Sequence, residues 1–454
     1  MLFATLLFFP SAEWTVGELI LFSVSIVFFT LSLPPVRRNE TLGMARYRVM
    51  NSIVWDAFPY ISLIFSGFLF WQWQNGGREL IYAADLKVWS YSPSILGWGP
   101  TCVNPESARG MFFAAMSMTV SVFTVRHGLS NAARRYLLAG MCWVALPCAL
   151  ILSLGDVDLL KIRHPAFMGF LMPSHAAAFF SFIALLSMAI SMEFVRQRSS
   201  RKALFTAMVF PFALIQAFSS ASLTVIAPLI AGILLTAGLT AFLDRHIDVS
   251  PALKSKVVAA LFGGLLFAAA VSASVVRWAH IFRNAFYGPD WMAGVHTFWQ
   301  QWALRANHAM TVWVDNPWLG VGADGYSRFM GFYLKPEQWR AFTPPKDQVM
   351  NGFIRGLVEY GVVGVILVSA LVVILLITIL LRLYSFKQSN ENADDHHGVL
   401  PALPVGLWIA CSVPVVQTVL MEPFNTPVMM LPWCITLACS AFFVPTGRKV
   451  EAKK

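Results

Sequence analysis

Arg355 and Glu359 stand four residues apart in the run Asn351-Gly352-Phe353-Ile354-Arg355-Gly356-Leu357-Val358-Glu359-Tyr360-Gly361-Val362-Val363-Gly364. On a helix they share one face. The run leads straight into an apolar stretch, and a charged pair at such a margin lines a polar cavity more often than it faces lipid. The plainer alternative is an ion pair that closes the helix entrance. Upstream, residues 277–350 carry Arg277, Arg283, Arg305, Arg328 and Arg340, with Lys335 and Lys346. Guanidinium forks bind phosphate oxygens two at a time and keep their charge. Beside lipid, such a set suits a lipid-linked diphosphate and would stabilise it as a leaving group. Alternatively these arginines pair with Asp290, Asp315, Asp324, Glu337, Asp347 and Glu359, or reach lipid headgroups.

A proton acceptor is also available. His308, His296 and His280 titrate near neutrality when unperturbed and could take the proton of an attacking hydroxyl. Each could equally be a structural or interfacial histidine. Asp347 and Glu359 are rival bases. No P-loop, HExxH, GxSxG or Asp-rich cluster is present, so neither a metal nor a cofactor is expected.

The elements that must hold these groups are membrane helices. Hydrophobic residues make up 57% of the 454-residue chain and charged residues 12%, against roughly 25% charged in soluble domains. Apolar runs long enough to cross ~30 Å of hydrocarbon recur from end to end. Spans are predicted near 15–34, 53–73, 110–126, 136–154, 172–194, 203–219, 222–243, 257–276, 357–381, 399–419 and 426–445, giving an all-α polytopic membrane protein of about 11–12 helices. The organisation follows as helices over 1–276, a large loop over 277–356, and helices with a tail over 357–454. Met1 to Pro10 lacks a basic leader and a small-residue cleavage site, so no cleavable signal is expected.

The net charge of +10 does not call for nucleic acid. Basic residues gather in alternate loops: Arg37, Arg38, Arg46 and Arg48; Arg126, Arg134 and Arg135; Arg196, Arg198, Arg201 and Lys202; Arg245, Lys254 and Lys256; Arg382 and Lys387; Arg448, Lys449, Lys453 and Lys454. This is the positive-inside pattern. It puts the C-terminus in the cytoplasm and the 277–350 loop on the other side. Of the six cysteines, five fall in apolar spans, and Cys102 sits in a polar loop without a partner there. The aromatics of the 74–109 segment read as interfacial anchors, and 385–398 as a polar linker.

The large loop is expected to fold, because it holds too many tryptophans for a disordered chain. Phe298, Trp302, Ala306 and Ala309 fall on one helical face. Asp315-Asn316-Pro317 then ends that helix, and Gly320-Val321-Gly322 with Gly325 makes a tight turn. A helical cap over the outer membrane face results.

The run Asp315-Asn316-Pro317-Trp318-Leu319-Gly320-Val321-Gly322, followed by Asn351, Gly361 and Gly364 entering a span, resembles the O-antigen ligase and O-antigen polymerase superfamily. Pro317, Gly320 and Gly322 carry the first motif. Gly169-Phe170-Leu171-Met172-Pro173-Ser174-His175-Ala176-Ala177-Ala178 is similar to that family's mid-chain motif. The resemblance implies an all-helical (GT-C-like) glycosyltransferase of the bacterial inner membrane, independent of metal. Its donor would be an undecaprenyl-diphosphate-linked glycan, handled on the periplasmic face. Implied partners are membrane lipids and a chain-length regulator. Met350 stands where ligases carry a catalytic histidine, and Ser219 to Thr224 lacks the arginine of the ligase turn. A polymerase extending lipid-linked repeat units therefore fits better than a ligase acting on lipid A–core. A lipid-linked oligosaccharide transporter is the reading from another class.

Overall fold

The computed structural model describes residues 40–76, 80–83, 88–91, 99–156, 173–219, 223–243, 291–334, 351–391, 402–425 and 427–444, together with Ile20 and Ser23. The predicted spans 15–34 and 257–276 fall outside these residues. The described chain is helical apart from one small hairpin. Its helices are α1 (Leu42–Val54), α2 (Ala57–Gln74), α3 (Pro105–Phe123), α4 (Asn131–Asp156), α5 (Pro173–Arg196), α6 (Ser200–Ser219) and α7 (Leu223–Leu243). After these come α8 (Trp291–Asp315), α9 (Tyr326–Tyr333), α10 (Gly352–Glu391), α11 (Ala402–Thr418) and α12 (Pro427–Phe442).

Among the described residues, four helical stretches are long and apolar enough to cross a membrane: Pro105–Gly128, His175–Arg196, Ser200–Phe218 and Gly352–Phe386. The pair α1 and α2 qualifies as one bent unit, and Val225–Gly238, Ala402–Thr418 and Val428–Phe442 are shorter apolar helices. The chain is thus a helical membrane protein. Two local expectations change. The 74–109 segment contains a hairpin, β1 (Leu80–Ala83) antiparallel to β2 (Val88–Tyr91), with Leu80 opposite Tyr91; its β-branched and aromatic residues suit a pleated surface. The 385–398 linker is helical in its first part, because α10 continues to Glu391.

α5 lies at the centre of the bundle, enclosed by α4, α6, α7 and α11. Small residues permit that closeness: Ala177, Ala178, Ala184, Ser181, Ser187 and Ser191 are all buried. The three serine hydroxyls donate to carbonyls of their own helix, Ala177, Ala184 and Met188, so none is left without a partner in an apolar surround. α10 is the opposite case. Ile366, Val373, Leu376, Leu380 and Leu381 are exposed, the surface that hydrocarbon covers.

α10 is also broken. Gly361 has φ 63° and ψ −173°, which splits off the half-helix Gly352–Tyr360 from the span beyond it. A break at membrane depth strands carbonyls of the first piece and N–H groups of the second, each costing several kcal/mol if unmet. The turn after α8 meets them. Val321 N and Gly322 N donate to Val358 O (2.9 Å) and Glu359 O (2.8 Å). Pro317 O and Trp318 O accept from Val362 N (2.9 Å) and Val363 N (3.1 Å). Gln72 Nε2 adds 3.3 Å bonds to Leu319 O and Glu359 O. The two motifs separated in sequence are therefore one structural unit.

Glycine is required at this seam. A Cβ on Gly361 would meet Trp318 O, and one on Gly322 would meet Cys102; both glycines have positive φ. Cys102 does lie in a loop, and it is buried there against Ala108 and Ala323. Gly361→Ala should destabilise the protein by more than ~2 kcal/mol, since left-handed strain and a backbone clash add. Gly356→Ala, where the added methyl only reaches Val365 at 3.8 Å, should be neutral or gain up to ~1 kcal/mol. Thermal unfolding of both variants in detergent checks this.

Candidate functional site

The half-helix Gly352–Tyr360 begins with Asn351, whose Oδ1 accepts from Phe353 N (3.0 Å) and Ile354 N (3.1 Å). This caps two of the free amides of the first turn. Gly352 N donates to Met421 O (3.2 Å), fixing the start of α10 against the α11–α12 connection. These contacts set the position of Arg355 one turn further on.

Arg355 is buried and its guanidinium is fully engaged. Nε donates to Glu359 Oε1 (2.7 Å), Nη1 to Glu422 Oε2, and Nη2 to Asp324 Oδ1 (3.1 Å). Glu359 and Glu422 are buried too, whereas the Asp324 side chain is 46% exposed. Asp324 holds a left-handed backbone (φ 54°), a conformation unfavourable for a side-chain residue unless its surroundings enforce it. Asn104, the cap of α3, donates to its other oxygen at 3.3 Å. One cation thus faces three carboxylates, and only Asp324 opens to solvent.

His175, in the first turn of α5, is buried within reach of the charges of Glu422 and Arg355. Its Nδ1 has no hydrogen-bond partner among the described residues. Ala177 and Ala178 beside it pack on Met421 and Val225. All three sequence segments that carry the resemblance therefore meet around Arg355.

The structure sorts the remaining sequence candidates. Pro317, Gly320, Gly322 and Gly361 build the seam, Asn351 caps the start of the half-helix, and Gly364 lets α10 pass close to Phe68 and Tyr360. Arg355 and Glu359 are indeed an ion pair, but one extended to two further carboxylates, so the charge of Arg355 is already matched by the protein's own anions. Arg305 is buried and Arg328 exposed on α9. His308 stitches α8 to α9: its Nδ1 lies 3.0 Å from Tyr326 Oη, and its ring packs edge-on to Tyr326 and Tyr333. Burial pushes its pKa below the usual histidine value, opposed in part by the Met330 backbone. Tyr333 donates to Asp315 (2.6 Å), and burial with that carboxylate pushes its pKa up to about 12. Arg277, Arg283, Arg340, Lys346 and Asp347 fall outside the described residues.

Four contributors were not singled out as site residues in the sequence: Glu422, Asn104, Gln72 and Arg109. Glu422 had a usable signal, being a lone carboxylate between two apolar helices. Arg109 sits in the first turns of α3, next to Asn104, with a buried Nε that has no partner among the described residues. Asp324 was legible only as a counter-ion. Comparison of the sequence with protein-family models and with curated proteins finds no match.

Arg355→Met should cost ~3–5 kcal/mol, because three carboxylates lose their shared cation. Adding Glu359→Gln to that variant should recover part of the loss, as thermal melts in detergent would register. For His308 the sign is set by its lowered pKa. The unfolded chain takes up this proton near pH ~6.5, the folded chain only at lower pH, so the folded state loses stability as pH falls from neutrality through that window. His308→Gln should flatten that part of the stability–pH curve.

Proposed function

We propose that the chain is a membrane polysaccharide polymerase. It would transfer glycan from an undecaprenyl-diphosphate carrier to a hydroxyl of a second lipid-linked repeat unit, on the non-cytoplasmic face. The observation that carries this is the convergence of the 315–322 and 351–364 segments, and of the described part of the third, 173–178, on one buried charged centre with a single solvent-facing carboxylate. The likeness of those segments to the O-antigen superfamily was read separately in sequence, so their meeting in space is independent support.

In this mechanism Asp324 is the base. The acceptor oxygen attacks the anomeric carbon, the bond from that carbon to the diphosphate oxygen breaks, and the electron pair leaves with the polyprenyl diphosphate. The hydroxyl proton passes to Asp324. Arg355 holds Asp324 in place, a positioning role. The leaving group's charge falls to Arg109, Arg305 and Arg328, since Arg355 is already neutralised. Such donors act most strongly where water is excluded.

A broken membrane helix with charged residues beside it is also found in transporters, and the break at Gly361 keeps a lipid-linked sugar transporter as the second reading. Purified protein in nanodiscs, given a polyprenyl-diphosphate-linked repeat unit, separates the two. Under the polymerase reading wild type elongates the glycan, and Asp324→Asn, in folded protein, lowers turnover by roughly 10²–10⁴-fold. Absence of elongation by wild type, with labelled donor crossing the bilayer, would reject polymerisation. In cells, loss of a polymerase leaves single repeat units on the acceptor, whereas loss of a ligase leaves bare core.

A further inference from the structure

The opposite end of the bundle holds a second charged centre, unrelated to the transfer chemistry. α3 runs from Asn104 to a π-helical turn, Thr124–Gly128, and α10 runs from Arg355 to Arg382, so both helices carry the chain from one membrane face to the other. The π turn presents Arg126 and His127 side by side to Asp56, the cap of α2. Arg126 holds that carboxylate with Nε (2.8 Å) and Nη2 (3.1 Å), and His127 Nε2 lies 2.8 Å from it. The third Arg126 nitrogen donates to Thr378 on α10 (3.2 Å).

Arg134 is anchored by backbone. Its Nε and Nη2 donate to the carbonyls of Val125 (2.8 Å) and Arg126 (3.1 Å), and its Nη1 to Asn131 (2.6 Å). Its guanidinium stacks 3.7 Å from the ring centre of Phe442, and Arg382, one turn beyond Thr378, lies 4.0 Å from the same ring. The charge of Arg382 is felt by Arg134, and that of Arg126 by Arg382. Of these three arginines only Arg126 is paired with a carboxylate, Asp56. The other nearby carboxylate, Glu193, is taken by Arg135 (3.0 Å) and Arg196 (3.8 Å). Among the described residues Arg382 has neither an ion-pair partner nor a hydrogen-bond acceptor.

Two guanidinium groups on one aromatic ring, Arg134 and Arg382 on Phe442, with the charge of Arg126 close by, repel one another unless an anion joins them. Arg382 is half-buried, and its neighbours Leu380, Leu381 and Tyr384 are exposed, so an apolar surface flanks the free guanidinium. A ligand that satisfies both features has a phosphate and acyl chains. We propose that Arg382, with Arg134 and Arg126, binds the phosphate of an anionic phospholipid headgroup at this end of the bundle.

The test uses the full-length protein, purified in neutral detergent and titrated with phosphatidylglycerol or phosphatidylcholine. Bound lipid is counted by native mass spectrometry, and melting temperature is followed alongside. Wild type should retain phosphatidylglycerol and melt at a higher temperature in its presence. Arg382→Gln should weaken retention roughly tenfold, the scale of one lost charge-assisted contact. Arg201→Gln, an exposed arginine at the same end, should behave as wild type. Without lipid, Arg382→Gln should melt no lower than wild type, because it removes an unpaired like charge; this separates lost binding from misfolding. Equal phosphatidylglycerol retention by wild type and Arg382→Gln overturns the site. If millimolar inorganic phosphate alone gives the same stabilisation, the ligand is a soluble phosphate and the lipid assignment falls.

Discussion

The four backbone hydrogen bonds that cross the break at Gly361 are the constraint on which the site depends. Hydrocarbon offers no water to satisfy a stranded amide, so a span can be interrupted only where protein supplies the missing partners. Here the turn Pro317–Gly322 supplies all four and is itself ordered by doing so. The outer half-helix and the cap turn are consequently one body. Asp324 is held over Arg355 because Gly322 is bonded to Glu359 two residues before it, and Glu359 is the residue that Arg355 grips from its own helix. Removing the seam would dissolve the charged centre without touching a charge.

That centre is more acidic than an anion clamp would be. A lone buried arginine would suit a phosphate, but three carboxylates around Arg355 turn it into a support for Asp324. Coulomb attraction in a poorly solvated site offsets the cost of burying these groups only while the set stays complete. The other end of the bundle has the opposite sign, where Arg126, Arg134 and Arg382 lie near one another and only Arg126 is paired with a carboxylate, Asp56. One end of the bundle thus has acid to spare and the other has base to spare.

Much of this was readable before any coordinates. Apolar run lengths located α2 through α7 and α10 through α12 within a few residues, because a membrane reduces the choice of structure to helix. Pro317 announced the end of α8, and the spacing of Arg355 and Glu359 announced their pairing. The sequence could not reveal what lies far along the chain. Glu422 and Asn104 meet Arg355 and Asp324 through tertiary packing, and no local period records that. The hairpin at 80–91 was hidden among aromatics that serve equally well as interfacial anchors. His308 shows the limit from the other side: its residue type suggested chemistry, and its surroundings make it a tether between α8 and α9.

The enclosure of α5 bears on how the chain is assembled. This helix leaves the ribosome before α6, α7, α10, α11 and α12 exist, yet in the finished bundle almost none of its surface meets lipid. It must therefore wait in the bilayer for its neighbours. Ser181, Ser187 and Ser191 make that wait inexpensive, because each hydroxyl is already satisfied within its own helix. Glu193 finds Arg135 on the earlier α4 and Arg196 on its own helix. The charges around His175, those of Glu422 and Arg355, come instead from later elements, so insertion of α5 and closure of that charged face are separate events in biogenesis.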